Sequence, residues 1–161
     1  PRIFSGGFFL AVSRPCRSGT CELFSAQMQD FNAALYLEDL GLRATRPRVK
    51  IARILFADGM DRHVTAEWLA EELVRQGEPV ALATVYNTLH SLTGAGALRE
   101  VRGAGQGTII FDTNTKPHHH FYDETADKLT DIAEGALTLA GIPDAPDGKT
   151  IASCEIIIRV R

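Results

Sequence analysis

Apolar positions along this chain change period once, and the change divides it into a helical front and a strand-rich back. Met28, Phe31, Ala34 and Leu35 mark one face of a predicted helix that begins near Ser25 and ends at Gly41. A second predicted helix has Thr45 as its N-cap and turns Val49, Ala52 and Leu55 inward before Asp58-Gly59 breaks it. In the third, Thr65 is the N-cap, and Ala66, Leu69, Ala70, Leu73 and Val74 recur at i, i+3, i+4, i+7 and i+8 until Gly77 closes it. A fourth covers residues 82–93. It is expected to bury Leu82, Val85, Leu89 and Leu92 and to leave Ala83, Thr84, Asn87, Thr88 and Ser91 on a face of small or polar side chains. After Gly94 and Gly96, residues 98–102 and 108–112 read as strands joined by the turn Gly103-Ala104-Gly105-Gln106-Gly107. Helices at a short turn followed by a hairpin predict a winged helix-turn-helix, whose last helix would enter a major groove and offer hydrogen bonds to base edges.

The back of the chain has a different texture. Residues 119–123 and 128–132 predict short strands around a polar turn, 133–140 a helix and 143–148 a loop. Residues 151–160, rich in β-branched side chains, predict the longest strand, with Ile156, Ile158 and Val160 supplying burial on one face. Such a strand exposes an edge that pairing with a second copy would cover. The expected fold class is α+β. Residues 1–24 are expected to be a disordered arm, or an upstream extension of a chain that starts near Met28. Residues 25–112 then form a winged-helix DNA-binding domain, and residues 113–161 a small α/β dimerisation domain.

Charge sharpens this picture. The 161 residues carry a net charge of −3, which by itself argues against a nucleic-acid partner. Between Gly41 and Leu55, however, stand Arg43, Arg46, Arg48, Lys50 and Arg53 without a single acid. From Thr113 onward eight acids face five bases. A basic front beside an acidic back implies a local phosphate-binding surface, although a solvated helix face has the same composition. Cys16, Cys21 and Cys154 make neither an even disulfide framework nor the paired spacing of a structural zinc site, which fits a reduced cytoplasmic setting. Residues 3–12 resemble the apolar part of a signal peptide but are short, hold two glycines and lack a small-x-small cleavage site. No stretch approaches transmembrane length, so no membrane partner is expected.

Three consecutive histidines, His118-His119-His120, rarely arise as core packing. On a strand, His118 and His120 would share one face and His119 would take the other. Two imidazoles on one face are half a transition-metal site and need further ligands from elsewhere. One or two imidazoles also suit haem iron. His63 by itself, just before a helix N-cap, reads as an exposed polar residue, His90 as a surface residue, and Cys154 as a buried small one. A metallohydrolase would require an open metal position, a general base and a catalytic spacing such as H-E-x-x-H, and no such spacing occurs.

The stretch Gly41-Leu42-Arg43-Ala44-Thr45-Arg46-Pro47-Arg48 resembles the opening of the DNA-binding domain of the ferric uptake regulator family. The resemblance continues through His63-Val64-Thr65-Ala66-Glu67, Ala83-Thr84-Val85-Tyr86-Asn87-Thr88-Leu89, Phe111-Asp112 and the histidine run. It covers about residues 30–160, and it implies a homodimeric regulator bound to double-stranded DNA at an A/T-rich inverted repeat. It assigns Tyr86 to thymine methyls and Arg43 to the minor groove. Arg46, Arg48 and Thr84 belong to the same DNA-binding set. Asn87 stands where relatives usually have arginine, and an asparagine can pair bidentately with adenine.

The resemblance also supplies His63 and Asp112 as partners of His118 and His120 in a site for Fe²⁺, Mn²⁺ or Zn²⁺ between the two domains. Relatives that hold structural zinc place a CxxC just after the histidine run. Asp123 and Ala126 stand there in this chain, so a structural zinc held by four cysteines is not expected. That loss, the Tyr86-Asn87 pair and the ending Ile157-Ile158-Arg159-Val160-Arg161 resemble the haem-responsive iron-response regulators. In that branch His118, His119 and His120 would bind haem, although Pro15-Cys16 reverses the Cys-Pro order of a haem motif found in some members. The function implied is a repressor of iron and haem homeostasis genes, switched by haem. A metal-activated repressor is the alternative, and a haem chaperone or storage protein is the alternative from another class.

Overall fold

The computed structural model describes residues 31–105 and 107–161. The predicted helix start at Ser25, Met28, the 1–24 arm, Cys16 and Cys21 lie outside the described residues, as does Gln106 of the glycine-rich turn. The described residues form four helices, α1 (Ala33–Asp39), α2 (Arg46–Phe56), α3 (Ala66–Arg75) and α4 (Leu82–Gly94). Asn32 caps α1 by accepting from the amides of Ala34 and Leu35, and the Thr65 hydroxyl caps α3 by accepting from Trp68 N at 3.1 Å. Thr45 occupies the N-cap of α2 without a side-chain bond, and Pro47 follows inside the first turn. At the end of α3, Gly77 takes φ +72°, so that its own amide reaches Val74 O and that of Glu78 reaches Leu73 O. The same pair of closing bonds ends α1 at Gly41-Leu42 and α4 at Gly96-Ala97.

The helices pack through Leu37, Ile51, Ala52, Leu55, Leu69, Leu73, Val85, Leu89 and Leu92, all buried. The buried face of α2 therefore centres on Ile51 rather than Val49, which is half-buried. Leu82 lies exposed in the first turn of α4, and Val74 faces solvent at the end of α3. Thr88, expected on the polar face, is buried because its hydroxyl donates to Thr84 O at 2.8 Å. That local bond satisfies the hydroxyl without water.

The strands form two three-stranded sheets. In the first, β3 (Ile110–Asp112) lies between β1 (His63–Val64) and β2 (Arg99–Val101), antiparallel to both. In the second, β4 (His120–Asp123) lies between β5 (Lys128–Asp131), antiparallel, and β6 (Ile157–Val160), parallel. A small second core of Val101, Ala104, Ile110, Tyr122, Leu129 and Ile157 joins the inner faces of the two sheets. Asp123 Oδ1 accepts from Thr125 and Ala126 amides in the β4–β5 turn, and Tyr122 OH donates to Asp127 at 2.6 Å.

Helices and sheets are therefore mixed, but the back of the chain departs from expectation. Residues 133–140 form turns rather than a helix, since Gly135 takes φ +78° and breaks the repeat. The described residues of this part contain no helix, so it is an all-strand unit rather than α/β. Of residues 151–160 only the last four form a strand, because β4 offers just four residues to pair with. Cys154 is exposed rather than buried. Ile157 packs inward, which places Ile158 and Val160 on the outer face, opposite to expectation; a one-residue change of register inverts every side chain. No helix among the described residues is long and apolar enough to cross a membrane.

The short approach to β1 is held by Arg62. Its backbone exchanges bonds with Thr113, and its guanidinium donates to Leu55 O, Met60 O and the Asp58 carboxylate. The guanidinium lowers the Asp58 carboxyl from 3.8 to about 2. The pair therefore stabilises the fold fully above pH 3.8 and loses its contribution as pH falls toward about 2. Asp58→Asn is expected to cost ~0.5–1 kcal/mol at neutral pH, the upper range for a partly exposed pair. Urea unfolding at stepped pH should show that difference closing on acidification. A gap that persists in acid would trace it to something other than the ion pair.

Candidate metal centre and basic surface

Strand register builds the site in two rows. Across the first sheet, Asp112 on β3 is directly opposite His63 on β1 and Arg99 on β2. Across the second, His120 on β4 is opposite Asp131 on β5. The rows face one another, and His118, just before β4, closes the ring.

His63, Asp112, His118 and His120 bring ligand atoms within 4.8 Å of one another. Asp131 belongs to the same cluster. Its Oδ1 lies 2.9 Å from His63 Nε2, 3.2 Å from His118 Nε2 and 3.5 Å from His120 Nε2. Asp112 Oδ2 lies 3.1 and 3.6 Å from the Nε2 atoms of His118 and His120, and its Oδ1 lies 3.8 Å from that of His63. Asp112 and His120 are wholly buried.

Despite these distances, His63 Nε2, His118 Nε2, His120 Nε2, Asp112 Oδ2 and Asp131 Oδ1 are buried without an aligned hydrogen bond. The atoms converge on a common point rather than on each other. Buried polar atoms are nearly always paired, so a cluster of orphans requires an explanation. An ion bound at about 2.0–2.2 Å sets adjacent ligands about 3.0–3.6 Å apart, close to the 2.9–3.8 Å between these imidazole and carboxylate atoms. Three imidazoles and two carboxylates are a mixed donor set suited to a divalent transition metal.

Protonation agrees with that use. Burial lowers the His63 imidazole below its ordinary value, outweighing the attraction of Asp112 and Asp131, which keeps it neutral. Burial pushes the Asp112 carboxyl up, but His120, the Asn114 amide, His63 and His118 together outweigh burial and hold it below the usual carboxylate range. Neutral imidazole and ionised carboxylate are the forms that bind metal. His118 Nδ1 lies 2.8 Å from Lys116 O; a proton donated there leaves the Nε2 lone pair aimed inward.

His119 turns away from the cluster. Its Nδ1 accepts from Ile156 N at 3.4 Å, and with His118 it lines an open cavity of about 580 Å³ whose walls include Lys116, Ile132 and Leu137.

The predicted DNA-binding residues occupy the helical part. Arg43 and Arg46 are exposed, as is Asn87 on α4, while Thr84 and Tyr86 are half-buried. Arg48 is tethered: its guanidinium donates to Arg43 O at 3.3 Å and to Ser91 Oγ at 3.2 Å, tying α2 to α4. Tyr86 OH donates to Glu67 on α3 at 2.7 Å, a contact between helices that spacing alone does not reveal. His90 is exposed as expected, and pairs with Glu100 at 3.2 Å.

Asp131 was within reach of sequence reasoning. A four-residue turn between the two strands predicted at the histidine run sets His120 opposite Asp131 by counting alone. Arg99 and Glu155 were not, because their side chains meet only when both sheets are folded.

Mixed helices and sheets around a mixed imidazole–carboxylate cage define a small protein with a candidate centre for a divalent metal. The chain belongs to the ferric uptake regulator family, whose model matches residues 39–141; its members are transcription regulators and not enzymes. Over 92 residues the chain is 38% identical to the ferric uptake regulation protein of Vibrio cholerae serotype O1, covering 57% of this chain and 59% of the relative. Over 93 residues it is 39% identical to that of Escherichia coli K12, covering 58% and 60%. The chain thus spans about three fifths of the length of the curated relatives it matches.

Among solved structures it is similar to the V. cholerae ferric uptake regulator, with TM-score 0.62 and 21% identity over 81% of this chain and 99% of that one. It is also similar to the Pseudomonas aeruginosa regulator with manganese, with TM-score 0.59 and 24% identity over 81% and 98%. Likeness at these identities concerns the fold.

The cage generates a direct expectation. Zn²⁺ at a hundredfold excess over its Kd should stabilise the protein by about 2.7 kcal/mol, seen as a rise in Tm. Asp131→Asn should weaken Zn²⁺ binding at least tenfold, about the smallest effect of losing even an outer-shell group. An unchanged Zn²⁺ isotherm would remove Asp131 from the cage.

Proposed function

We propose that this chain is a homodimeric, cytoplasmic repressor that binds double-stranded DNA, with its affinity set by a divalent cation held between the first and second sheets. The observation that carries the reading is the convergence of orphaned imidazole and carboxylate atoms from both sheets. A cation there binds His63 and Asp112 from one and His118, His120 and Asp131 from the other. It must therefore favour one arrangement of the two parts over others.

On this reading residues 25–112 are a winged-helix DNA-binding domain, α4 its recognition helix and the β2–β3 hairpin its wing. Residues 113–161 are the dimerisation domain. Arg43 and Arg46 meet phosphates or the minor groove, Arg48 holds α2 against α4, and Thr84, Tyr86 and Asn87 face the bases of an A/T-rich inverted repeat. Exposed Phe121 and Val160 on the outer face of the second sheet, beside the open edge of β6, suit contact with a second copy. Fe²⁺, Mn²⁺ and Zn²⁺ all fit the donor set, and proteins of similar fold have been solved with manganese, with iron and with zinc.

Haem is the second reading, belonging to the iron-response branch of the family. A porphyrin does not fit the buried cage, where His120 is sealed and two carboxylates converge. The cavity beside His118 and His119, about 580 Å³ with Ile132 and Leu137 in its walls, is where an imidazole would hold haem iron instead.

Gel shifts on an A/T-rich inverted repeat with chelator, Mn²⁺ or haemin test both readings. Mn²⁺ should raise affinity at least tenfold, which needs about 1.4 kcal/mol of coupling. A fall on haemin that is lost in His119→Ala would favour haem, and indifference to all three would defeat the proposal. Arg46→Ala should weaken all sequences alike and reduce the salt slope by about one unit, whereas Asn87→Ala should alter base preference by about 1–3 kcal/mol.

A further inference from the structure

Around the cage, three contacts lead to one side chain, two of them with groups that stand behind cage histidines and one with a cage carboxylate. Arg99, on β2, donates from Nη2 to Glu155 Oε1 at 2.9 Å and from Nη1 to Lys116 O at 3.3 Å, and its Nε lies 3.3 Å from Asp112 Oδ2. Each of these groups touches a cage residue. Lys116 O is the acceptor for His118 Nδ1 at 2.8 Å, and Glu155 Oε1 lies 3.1 Å from His120 Nδ1. Asp112 is itself a cage member.

The Glu155 contact lies off the ring N–H direction, and His120 Nδ1 is buried without another aligned partner. Glu155 is the carboxylate that faces it among the described residues. A proton on Nδ1, beside the Glu155 carboxylate, leaves the Nε2 lone pair free to face the cage centre.

We infer that Arg99 and Glu155 are positioning residues of the cage. One planar guanidinium fixes the acceptor behind His118 and the acceptor behind His120 by hydrogen bonds and sets its charge beside the Asp112 carboxylate. Arginine alone has donors in a rigid fork for such a role; lysine carries the same charge but presents a single point. The positive charge of Arg99 also offsets Glu155, so orienting His120 adds no net charge beside the cage. Because Glu155 precedes β6, cation binding and the placing of the terminal segment become one event. The inference rests on the cage being a cation site.

Co²⁺ is the probe, since its visible absorption reports ligand number and geometry as well as occupancy. Wild-type protein should bind one Co²⁺ per chain with a strong visible band. Arg99→Lys, which preserves charge, and Glu155→Gln should each weaken Co²⁺ binding about 10–100-fold, the range for outer-shell partners, and shift the band. Glu155→Asp should restore most of both. Hydrogen exchange at residues 153–158 should slow on Co²⁺ addition in wild type and much less in either variant.

Metal-free melting temperature and circular dichroism are measured for each variant. If one variant fails to fold, the other carries the test alone. Wild-type affinity and an unshifted band in folded Arg99→Lys or Glu155→Gln overturn the positioning role while leaving the cage intact. Failure of wild-type protein to bind Co²⁺ overturns the cage reading, and this inference with it.

Discussion

A carboxylate with no access to water stands at the middle of this protein. Asp112 is wholly buried, and removing a carboxylate from water costs several kcal/mol unless opposite charge and hydrogen bonds replace the solvent. The surroundings supply that replacement from every direction. The Asn114 amide donates to Oδ1 at 2.8 Å, Arg99 approaches Oδ2, and three imidazoles surround both oxygens. The order of strands in the first sheet follows from the same need, since only the central strand can place one residue between partners on both sides.

The second constraint is the small core between the sheets. Tyr122, Leu129 and Ile157 from the second sheet meet Val101, Ala104 and Ile110 from the first, and this contact brings His120 and Asp131 over Asp112. A core of this size is modest, and polar groups that converge beside it are mutually repulsive or orphaned unless a cation unites them. Binding energy at the cage can therefore bear on the placement of the two sheets, which is the physical basis of the proposed coupling of metal to DNA. The helical part has its own, larger core, separate from the one between the sheets.

Element by element, the helices were legible because amphipathic period, caps and closing glycines act within a few residues. Thr65, Gly77 and the Leu69–Leu73 stripe perform the roles their spacing implies. Edges of that expectation failed where a neighbour decided: Leu35, Leu82 and Val74 fit the period but are exposed, Ala33 and Leu37 being buried in place of Leu35, and Thr88 satisfies its hydroxyl locally and goes inside. The terminal strand failed for a stronger reason. Residues 151–160 have strand propensity throughout, but propensity forms no strand without a partner, and four residues of β4 set both its length and which isoleucine turns inward.

By itself the sequence determined the local structure of the front half, the segregation of basic from acidic surface, and a histidine run with alternating faces. These depend on neighbours along the chain, whose geometry is set by backbone period. Family resemblance nominated His63 and Asp112, and strand counting could have nominated Asp131. Tertiary structure alone decided that Arg99 and Glu155 stand behind the cage, that Arg48 is a tether rather than a free cation, and that Cys154 is exposed. The Arg48 tether and the Arg99–Glu155 pair join side chains more than 40 residues apart in the chain, and no local period encodes such a meeting.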